Sequence, residues 1–462
     1  MKEDKTLVRT LKPFQLWVIG VGIVISGNYF GWNFGLDKSG YVGFLIAIGI
    51  VGCMYLFMTL GISELSTMLP HAGGPYAFAR RAMGPFAGFI TGFGVMLQYV
   101  IAAAVVAVGV GAYVNFLFPS LSTILSAIVI YIIFMFVHII GIKEYARLET
   151  VLVIIALGLV VLMYIVGLPK IEAANLFGDG STSVIPSGFK GIWAAIPYAM
   201  WLFLAIEMLP MLSEETVEPE KNMPKGILSG MVTLLILSVL TSTVAIGLVG
   251  FEKLSVAEDA LPDAVASAFG RTHWLAQLLG SIGLVGLIAS FSGVILAYSR
   301  QIFSLSRAGY LPPIFSKLHV SRRTPVLAII TPGLLGLILV ALFDPDDLIL
   351  IATFGALVSY ISMNLSLIVL RIKEPELNRP YKTPLFPIIP IISIIFAITA
   401  LFASVFANIL FFWISITLFV LATIYYFVWA RHRININAPE EAFHNDESKV
   451  APSLQPTEES VK

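Results

Sequence analysis

Two groups of polar residues lie in apolar stretches that are long enough to cross a membrane. Ser26, Gly27 and Asn28 interrupt the segment VISGNYFGW at 24–32, and Glu207 follows the run MWLFLAI at 200–206. A hydroxyl, an amide and a carboxylate can hydrogen-bond a small polar or cationic molecule. A charged side chain at membrane depth is costly and by default marks a functional site. These residues therefore predict that the chain recognises a small polar solute inside the membrane.

Covalent catalysis and metal chemistry have little support in the sequence. The chain has six histidines, and His71, His273, His319 and His432 fall near loops or span ends. No HExxH or GxSxG run occurs. We therefore expect no enzymatic activity, no catalytic residues, no metal ligands and no cofactor.

The composition is that of an all-α membrane protein. Of the 462 residues, 58% are hydrophobic and only 12% are charged, whereas a soluble domain has about 25% charged residues. The apolar runs are long and continuous, unlike the weak alternating segments of a β-barrel. The partners expected are the lipid bilayer and a small solute, with no nucleic acid. The oligomeric state is left open.

Twelve segments are apolar enough to be transmembrane helices, because about 20 helical residues cross a bilayer core of about 30 Å. The twelve are 13–36, 42–68, 86–117, 122–142, 147–168, 190–213, 225–250, 275–304, 325–343, 347–371, 385–407 and 409–430.

The lysines and arginines orient these spans. If both termini face the cytoplasm, 23 of the 28 basic residues lie on the cytoplasmic side, as the positive-inside rule requires. We therefore expect a multi-pass protein of the plasma membrane with a cytoplasmic N-terminal tail over 1–12. The polar stretch over 434–462 is expected to be a disordered cytoplasmic tail.

Two of the predicted spans contain helix breaks. We expect the first span to break near 26–31, at its Ser-Gly-Asn run, and the sixth near 203–207, between Pro197 and Pro210. Unwound backbone in a membrane is tolerated only inside protein or along a water-filled cavity. Interruptions at corresponding positions of two repeats point to a transporter's binding site. The alternative is that the glycines only permit close helix packing.

Several stretches in the right order resemble the amino acid–polyamine–organocation superfamily of secondary transporters. They are GISELSTMLPHAGGPYAFARRAMGPFAGF (61–89), GIKEYARLE (141–149), SEETVEPEKNMPKGI (213–227) and YSRQIFSLSRAGYLPPIFSKLHVSRRTPVLAI (298–329). The resemblance implies a LeuT-like 5+5 inverted repeat and alternating access around a central site. The first repeat would span 13–168 and the second 190–371, with two further helices over 385–430.

Within the superfamily, ISGNYFGWNFGL (25–36) looks most like the ethanolamine permeases. Amino acid carriers of the superfamily have a glycine-rich run here whose backbone N–H groups hold the substrate carboxylate. Asn28 takes the place of a glycine and would crowd that position. Its amide could accept from an ammonium or donate to a hydroxyl. The function implied is import of ethanolamine or a similar small amino alcohol, and the alternative is an amino acid or polyamine carrier or exchanger.

The resemblance also implies roles for other residues. Glu207 could pair with the ammonium, carry a proton or order the unwound backbone, while Trp201 matches a gating tryptophan. Ser290 and Ser292 could line an ion or substrate site, or simply bond their own helix. Both protons and sodium stay open as coupling ions. The candidate substrate-binding residues are Ser26, Gly27, Asn28, Tyr29, Gln98, Tyr99, Trp201, Phe203, Ala205 and Glu207.

Overall fold

The structure is a computed structural model. It describes residues 9–70, 73–141, 145–177, 184–320, 322 and 324–435, with the backbone alone over 145–149. Residues 1–8 of the predicted N-terminal tail, and the predicted C-terminal tail from residue 436 onward, lie outside the described residues.

The described residues form α-helices and short 3₁₀ segments, and no strand occurs among them. The α-helices are α1 (Pro13–Val24), α2 (Ser26–Tyr29), α3 (Leu36–Met68), α4 (Gly74–Met83), α5 (Pro85–Leu117), α6 (Thr123–Ile140), α7 (Tyr145–Gly167), α8 (Ala173–Phe177), α9 (Gly188–Trp201), α10 (Pro219–Val249), α11 (Phe251–Ser255), α12 (Ala260–Phe269), α13 (Trp274–Arg307), α14 (Val326–Leu342), α15 (Pro345–Lys373), α16 (Ile388–Ala407) and α17 (Ile409–Val428). The longer 3₁₀ segments are Trp32–Gly35, Ile206–Glu215 and Pro313–Ser316.

Ten segments of the described chain are long and apolar enough to cross a membrane, which agrees with the all-α membrane class. Two of the predicted spans are shorter in the structure. The first is interrupted after the 12 residues of α1, and α14 has 17 residues. The count of twelve spans and the inverted repeat therefore stay predictions.

α5 is the central helix of the bundle. In its most apolar stretch 83% of the residues are buried, whereas in α6 only 17% are, so that α6 presents most of its surface outward. A Cβ on Gly94 of α5 would lie 2.6 Å from the carbonyl oxygen of Gly355 in α15. Small residues let membrane helices approach closely. α5 and α15 are thus held backbone to backbone.

A buried ion pair joins the C-terminal end of α15 to α3. The carboxylate of Glu64, which is fully buried, accepts from Nε and Nη2 of Arg371 at 2.8 and 2.6 Å. It also accepts from the backbone N–H of Thr383 at 2.7 Å, and Arg379 Nε lies 3.6 Å away. The carboxylate therefore compensates two guanidinium groups that cannot reach water freely.

Removing this carboxylate is expected to destabilise the fold strongly. Glu64→Gln should lower the free energy of unfolding by about 3–5 kcal/mol, because it leaves a buried guanidinium without its counter-charge. Thermal unfolding of the detergent-solubilised protein measures the loss. The matched control is Glu374→Gln, which breaks the more exposed pair with Arg81 and should cost about 1 kcal/mol or less. Equal losses in the two variants would contradict the assignment.

Candidate functional site

The first helix break lies at Phe30 and Gly31, at the end of the range 26–31 in which it is predicted. We expected unwound backbone at Ser26 and Gly27, but these residues form the helical turn α2. The N–H of Asn28 donates to Ile25 O at 2.9 Å and that of Phe30 to Ser26 O at 3.0 Å, so the turn satisfies its own backbone. Helical geometry is lost at Phe30, which is extended (φ −150°, ψ 142°), and at Gly31, where φ is 93°.

The second break follows α9 directly. The chain turns over Leu202–Ala205 and continues as the 3₁₀ segment Ile206–Glu215. Ala205 has φ 86° and ψ 2°, in the left-handed region that an L-residue other than glycine seldom adopts. Glycine adopts this region without the steric cost that the Cβ of alanine brings.

The two breaks touch each other. A Cβ on Gly27 would lie 2.4 Å from the carbonyl oxygen of Trp201, so only glycine allows this approach. In return, Trp201 Nε1 donates to the carbonyl oxygen of Phe30 at 2.9 Å. Gly27 of the first break therefore packs against the backbone at the second break, and the side chain of Trp201 bonds the backbone of the first.

Glu207 lies fully buried among three donors. Gln98 Nε2 (2.5 Å) and Tyr99 OH (3.3 Å) of α5 donate to Oε1, and Tyr360 OH of α15 donates to Oε2 at 2.8 Å. Tyr360 in turn lies 3.0 Å from the hydroxyl of Tyr55 in α3. Since the proton of Tyr360 goes to Glu207, Tyr55 is the donor of this second bond. The carboxylate thus ties the second break to three long helices.

Asn28 has one half of its amide engaged and the other half free. Its Oδ1 accepts from Thr241 Oγ1 of α10 at 3.1 Å, and its backbone oxygen accepts from Trp32 Nε1 at 3.1 Å. Its Nδ2 is buried and has no hydrogen-bond partner in the described part of the chain. A buried donor without a partner costs about 1–3 kcal/mol. This amide nitrogen is therefore the group in the first break that a ligand could satisfy.

Tyr29 and Phe203 serve packing in this conformation. The hydroxyl of Tyr29 donates to Ala156 O of α7 at 2.7 Å. The ring of Phe203 lies against that of Tyr55, with centroids 5.3 Å apart. Neither residue lines the small central cavity described below.

The two candidate serines of α13 have separate environments. Ser290 Oγ lies 2.7 Å from Ile23 O and 2.8 Å from Ser26 Oγ, so it belongs to the first break. Ser292 Oγ instead lies 2.9 Å from Nε2 of His138 in α6. The structure brings Ser290 to the site and turns Ser292 away from it.

A small cavity lies where the two breaks meet α5 and α13. Its volume is about 10 Å³, which is roughly what one water needs. The central site is therefore closed around almost no free space. Three predicted residues (Ser26, Trp201 and Ala205) line the cavity, together with Ile23, Val24, Ala102, Val106, Leu204 and Val294.

Several polar residues of this region were missed in the sequence. Thr241, Tyr360 and Tyr55 contact the candidate residues but lie in other helices, far along the chain. Their signal was a hydroxyl within a long apolar segment, which is common in membrane helices and does not show which residue it contacts.

These features define a multi-pass helical membrane protein in which two broken helices meet around a central cavity, the arrangement of a solute carrier. The chain belongs to the amino acid permease family, whose model matches residues 11–430. The family and the relatives below are transporters, not enzymes.

Three relatives are similar in sequence over most of the chain. An uncharacterised transporter of Rhizobium meliloti is 30% identical over 86% of this chain and 87% of its own length. A methylthioribose transporter and a branched-chain amino acid permease, both of Bacillus subtilis, are each 26% identical over 94% of this chain and 96% of their own lengths.

The left-handed alanine gives a direct test of the second break. Ala205→Gly should stabilise the protein by about 0.5–1 kcal/mol, because relief of the αL penalty exceeds the extra flexibility of glycine in the unfolded chain. The same change at Ala199, inside α9, should destabilise the protein by up to about 1 kcal/mol. Thermal unfolding in one detergent compares the two, and destabilisation by Ala205→Gly would contradict the assigned backbone.

Proposed function

We propose that this chain is a secondary transporter that imports ethanolamine or a similar small amino alcohol across the plasma membrane by alternating access. Both termini would lie in the cytoplasm. The observation that supports the substrate class is the amide nitrogen of Asn28, a buried donor that has no partner among the described residues.

The first step of the argument concerns the carboxylate that an amino acid would bring. Binding a carboxylate at a helix break normally uses several backbone N–H groups pointing at the anion. Here the N–H of Asn28 is used by Ile25 O within the turn. The amide oxygen of Asn28 is also occupied, by Thr241. One side-chain N–H₂ group can satisfy a hydroxyl, whereas a buried carboxylate needs several donors to replace the water it loses.

The second step concerns the ammonium group. Trp201 lines the central cavity, and an indole face attracts a desolvated cation by about 2 kcal/mol. Ser26 lines the same space. Its hydroxyl, which contacts Ser290 in this conformation, can accept from an ammonium. The indole N–H of Trp201 also joins the two breaks through Phe30, so the predicted gating role fits its position.

Glu207 is assigned here to ordering the second break rather than to contacting the substrate. Neither Glu207 nor Asn28 lines the small cavity of this conformation. The two differ in that both oxygens of Glu207 already accept from Gln98, Tyr99 and Tyr360, whereas Asn28 Nδ2 has no partner among the described residues. A substrate ammonium would have to displace one of these donors. If transport is coupled to protons at this residue, Glu207 would take up a proton and release one of these three donors.

An ion could instead bind beside the first break. Ser290 Oγ, Ser26 Oγ and Ile23 O bring three oxygen atoms together where α1 meets α13, and unwound or terminal helix carbonyls commonly coordinate sodium in transporters. Because Ser292 bonds His138 instead, it is not included in this group.

A second candidate function is transport of an apolar amino acid. The cavity wall supports it, because seven of the nine residues that line the cavity are Ile, Val, Leu or Ala. Such a wall would hold an aliphatic side chain. One relative of similar length is a branched-chain amino acid permease. In amino acid transport, however, the amide nitrogen of Asn28 would be the side-chain donor left at the first break for the substrate carboxylate.

Solute uptake into proteoliposomes distinguishes ethanolamine transport from amino acid transport. Labelled ethanolamine should accumulate saturably, and excess unlabelled ethanolamine should block it, whereas leucine and alanine should not. Asn28→Gly should lower kcat/KM for ethanolamine by roughly 3–10-fold, the worth of one hydrogen bond. The matched control is Asn115→Ala, which removes an exposed amide that bonds Leu121 O and should leave uptake unchanged. Leucine uptake without ethanolamine uptake would overturn the proposal.

A further inference from the structure

A second, larger cavity lies on the acidic side of the bundle. Its volume is about 460 Å³, within the usual range for a small-molecule site. It is separate from the central cavity, with which it shares no lining residue. The first break closes its inner end, since Phe30 lines this outer cavity while Phe30 O is bonded by Trp201 of the central one.

The wall of the outer cavity combines aromatic rings with carboxylates. The rings of Phe30 and Phe34 stand perpendicular, with centroids 5.7 Å apart and an interplanar angle of 88°. Glu258 lies in the loop between α11 and α12, and Asp346 lies in the first turn of α15. No lysine or arginine is among the described lining residues. Carboxylates facing aromatic rings without a counter-cation are the environment that attracts an organic ammonium ion.

A buried acceptor beside this wall has no partner. Asn33 is 1% exposed, and its Nδ2 donates to Leu254 O and Ala257 O at 2.9 and 2.8 Å. These two carbonyls flank Ser255 and Val256, which line the outer cavity. Its Oδ1 has no hydrogen-bond partner in the described part of the chain. The amide therefore holds the backbone behind this part of the cavity wall, and Asn33 itself does not line the cavity.

Two carboxyl groups follow one another in the neighbouring loop. Burial raises the pKa of Asp259 to about 7, the carboxylate of Asp263 adds to the shift, and Arg271 opposes it. Glu258, next in the chain, accepts a hydrogen bond from Thr123 Oγ1 at 3.1 Å. That bond holds its carboxylate in place at the cavity wall.

We propose that the outer cavity is a second binding site, specific for an organic ammonium ion, in front of the central site. Phe30 and Phe34 would face the apolar part of the ligand, and Glu258 and Asp346 its charge. The proposal rests on the proposed function only in taking the transported solute to be an amine. A hydrated metal ion is the competing ligand, since Asp344, Asp346 and Asp347 bring carboxylate oxygens within 4.8 Å of one another, but it would make no use of the rings.

The test uses 2-phenylethylammonium, which the outer cavity can hold and the central cavity of about 10 Å³ cannot. Calorimetric titration of the purified full-length protein should show one site. The double variant Glu258→Gln/Asp346→Asn should bind at least tenfold more weakly, and Phe34→Leu about threefold more weakly. The neutral analogue 2-phenylethanol should bind far more weakly to the unmodified protein, because only the cation gains from the carboxylates.

The control variant is Glu252→Gln, which removes an exposed carboxylate from the adjacent helix α11 without touching the cavity and should leave the affinity unchanged. An unaltered melting temperature shows that each variant folds. Equal affinity in the double variant, an equal loss in Glu252→Gln, or displacement of the probe by calcium with no effect of Phe34→Leu would each overturn the proposal.

Binding of this probe does not depend on what the chain transports, so the two proposals fail separately. If both hold, the double variant should raise KM for ethanolamine uptake several-fold at unchanged kcat, because it slows capture of the cation and leaves the central site intact. A fall in kcat with KM unchanged would instead place these carboxylates in the transport step and overturn the outer site.

Discussion

A carboxylate in the interior of a membrane protein must find its hydrogen-bond donors within the protein, because the lipid offers none. Glu207 meets this requirement by accepting from Gln98, Tyr99 and Tyr360. These donors belong to α5 and α15, the two helices that approach backbone to backbone at Gly94 and Gly355. The 3₁₀ segment that begins at Ile206 thus has a fixed position against α5 and α15, and the rest of the central site is arranged around it.

The first break is positioned by the second. Gly27 lies against the carbonyl of Trp201, and the indole of Trp201 bonds the carbonyl of Phe30. Phe30 in turn faces the outer cavity, while Trp201 faces the central one. A tilt of α1 relative to α9 would therefore change both cavities together. This coupling is what alternating access requires of two broken helices that meet at a binding site.

Much of the architecture could be read from the sequence, since long apolar segments and a membrane-deep glutamate need only composition and spacing to be recognised. The family and the transporter class follow from the same stretches. The contacts of the site could not be read in this way. Tyr360 reaches Glu207 from a helix 153 residues further along the chain, and no local pattern distinguishes it from Tyr298, which bonds elsewhere. The candidate site residues and their roles therefore stay predictions.

The course of the first break shows why residue type alone misleads. Ser26 and Gly27 favour unwinding by propensity, yet Ser290 bonds both Ser26 Oγ and Ile23 O, and the turn keeps its own backbone bonds. Tertiary contacts thus overrode local preference and moved the non-helical point to Phe30 and Gly31.

The amide nitrogen of Asn28 has no partner among the described residues, and this raises the free energy of the closed conformation. A buried donor without a partner costs about 1–3 kcal/mol, and the central cavity of about 10 Å³ has no room for a solute that could satisfy it. A conformation that admits a hydroxyl-bearing solute would remove that cost, so the solute would bind the open form better than the closed one. A ligand shifts a conformational equilibrium only by such a difference in affinity. Asn28 would thereby link recognition of the solute to movement of the first helix. The oxygen of the same amide accepts a hydrogen bond from Thr241 of α10, so that movement would also affect this contact.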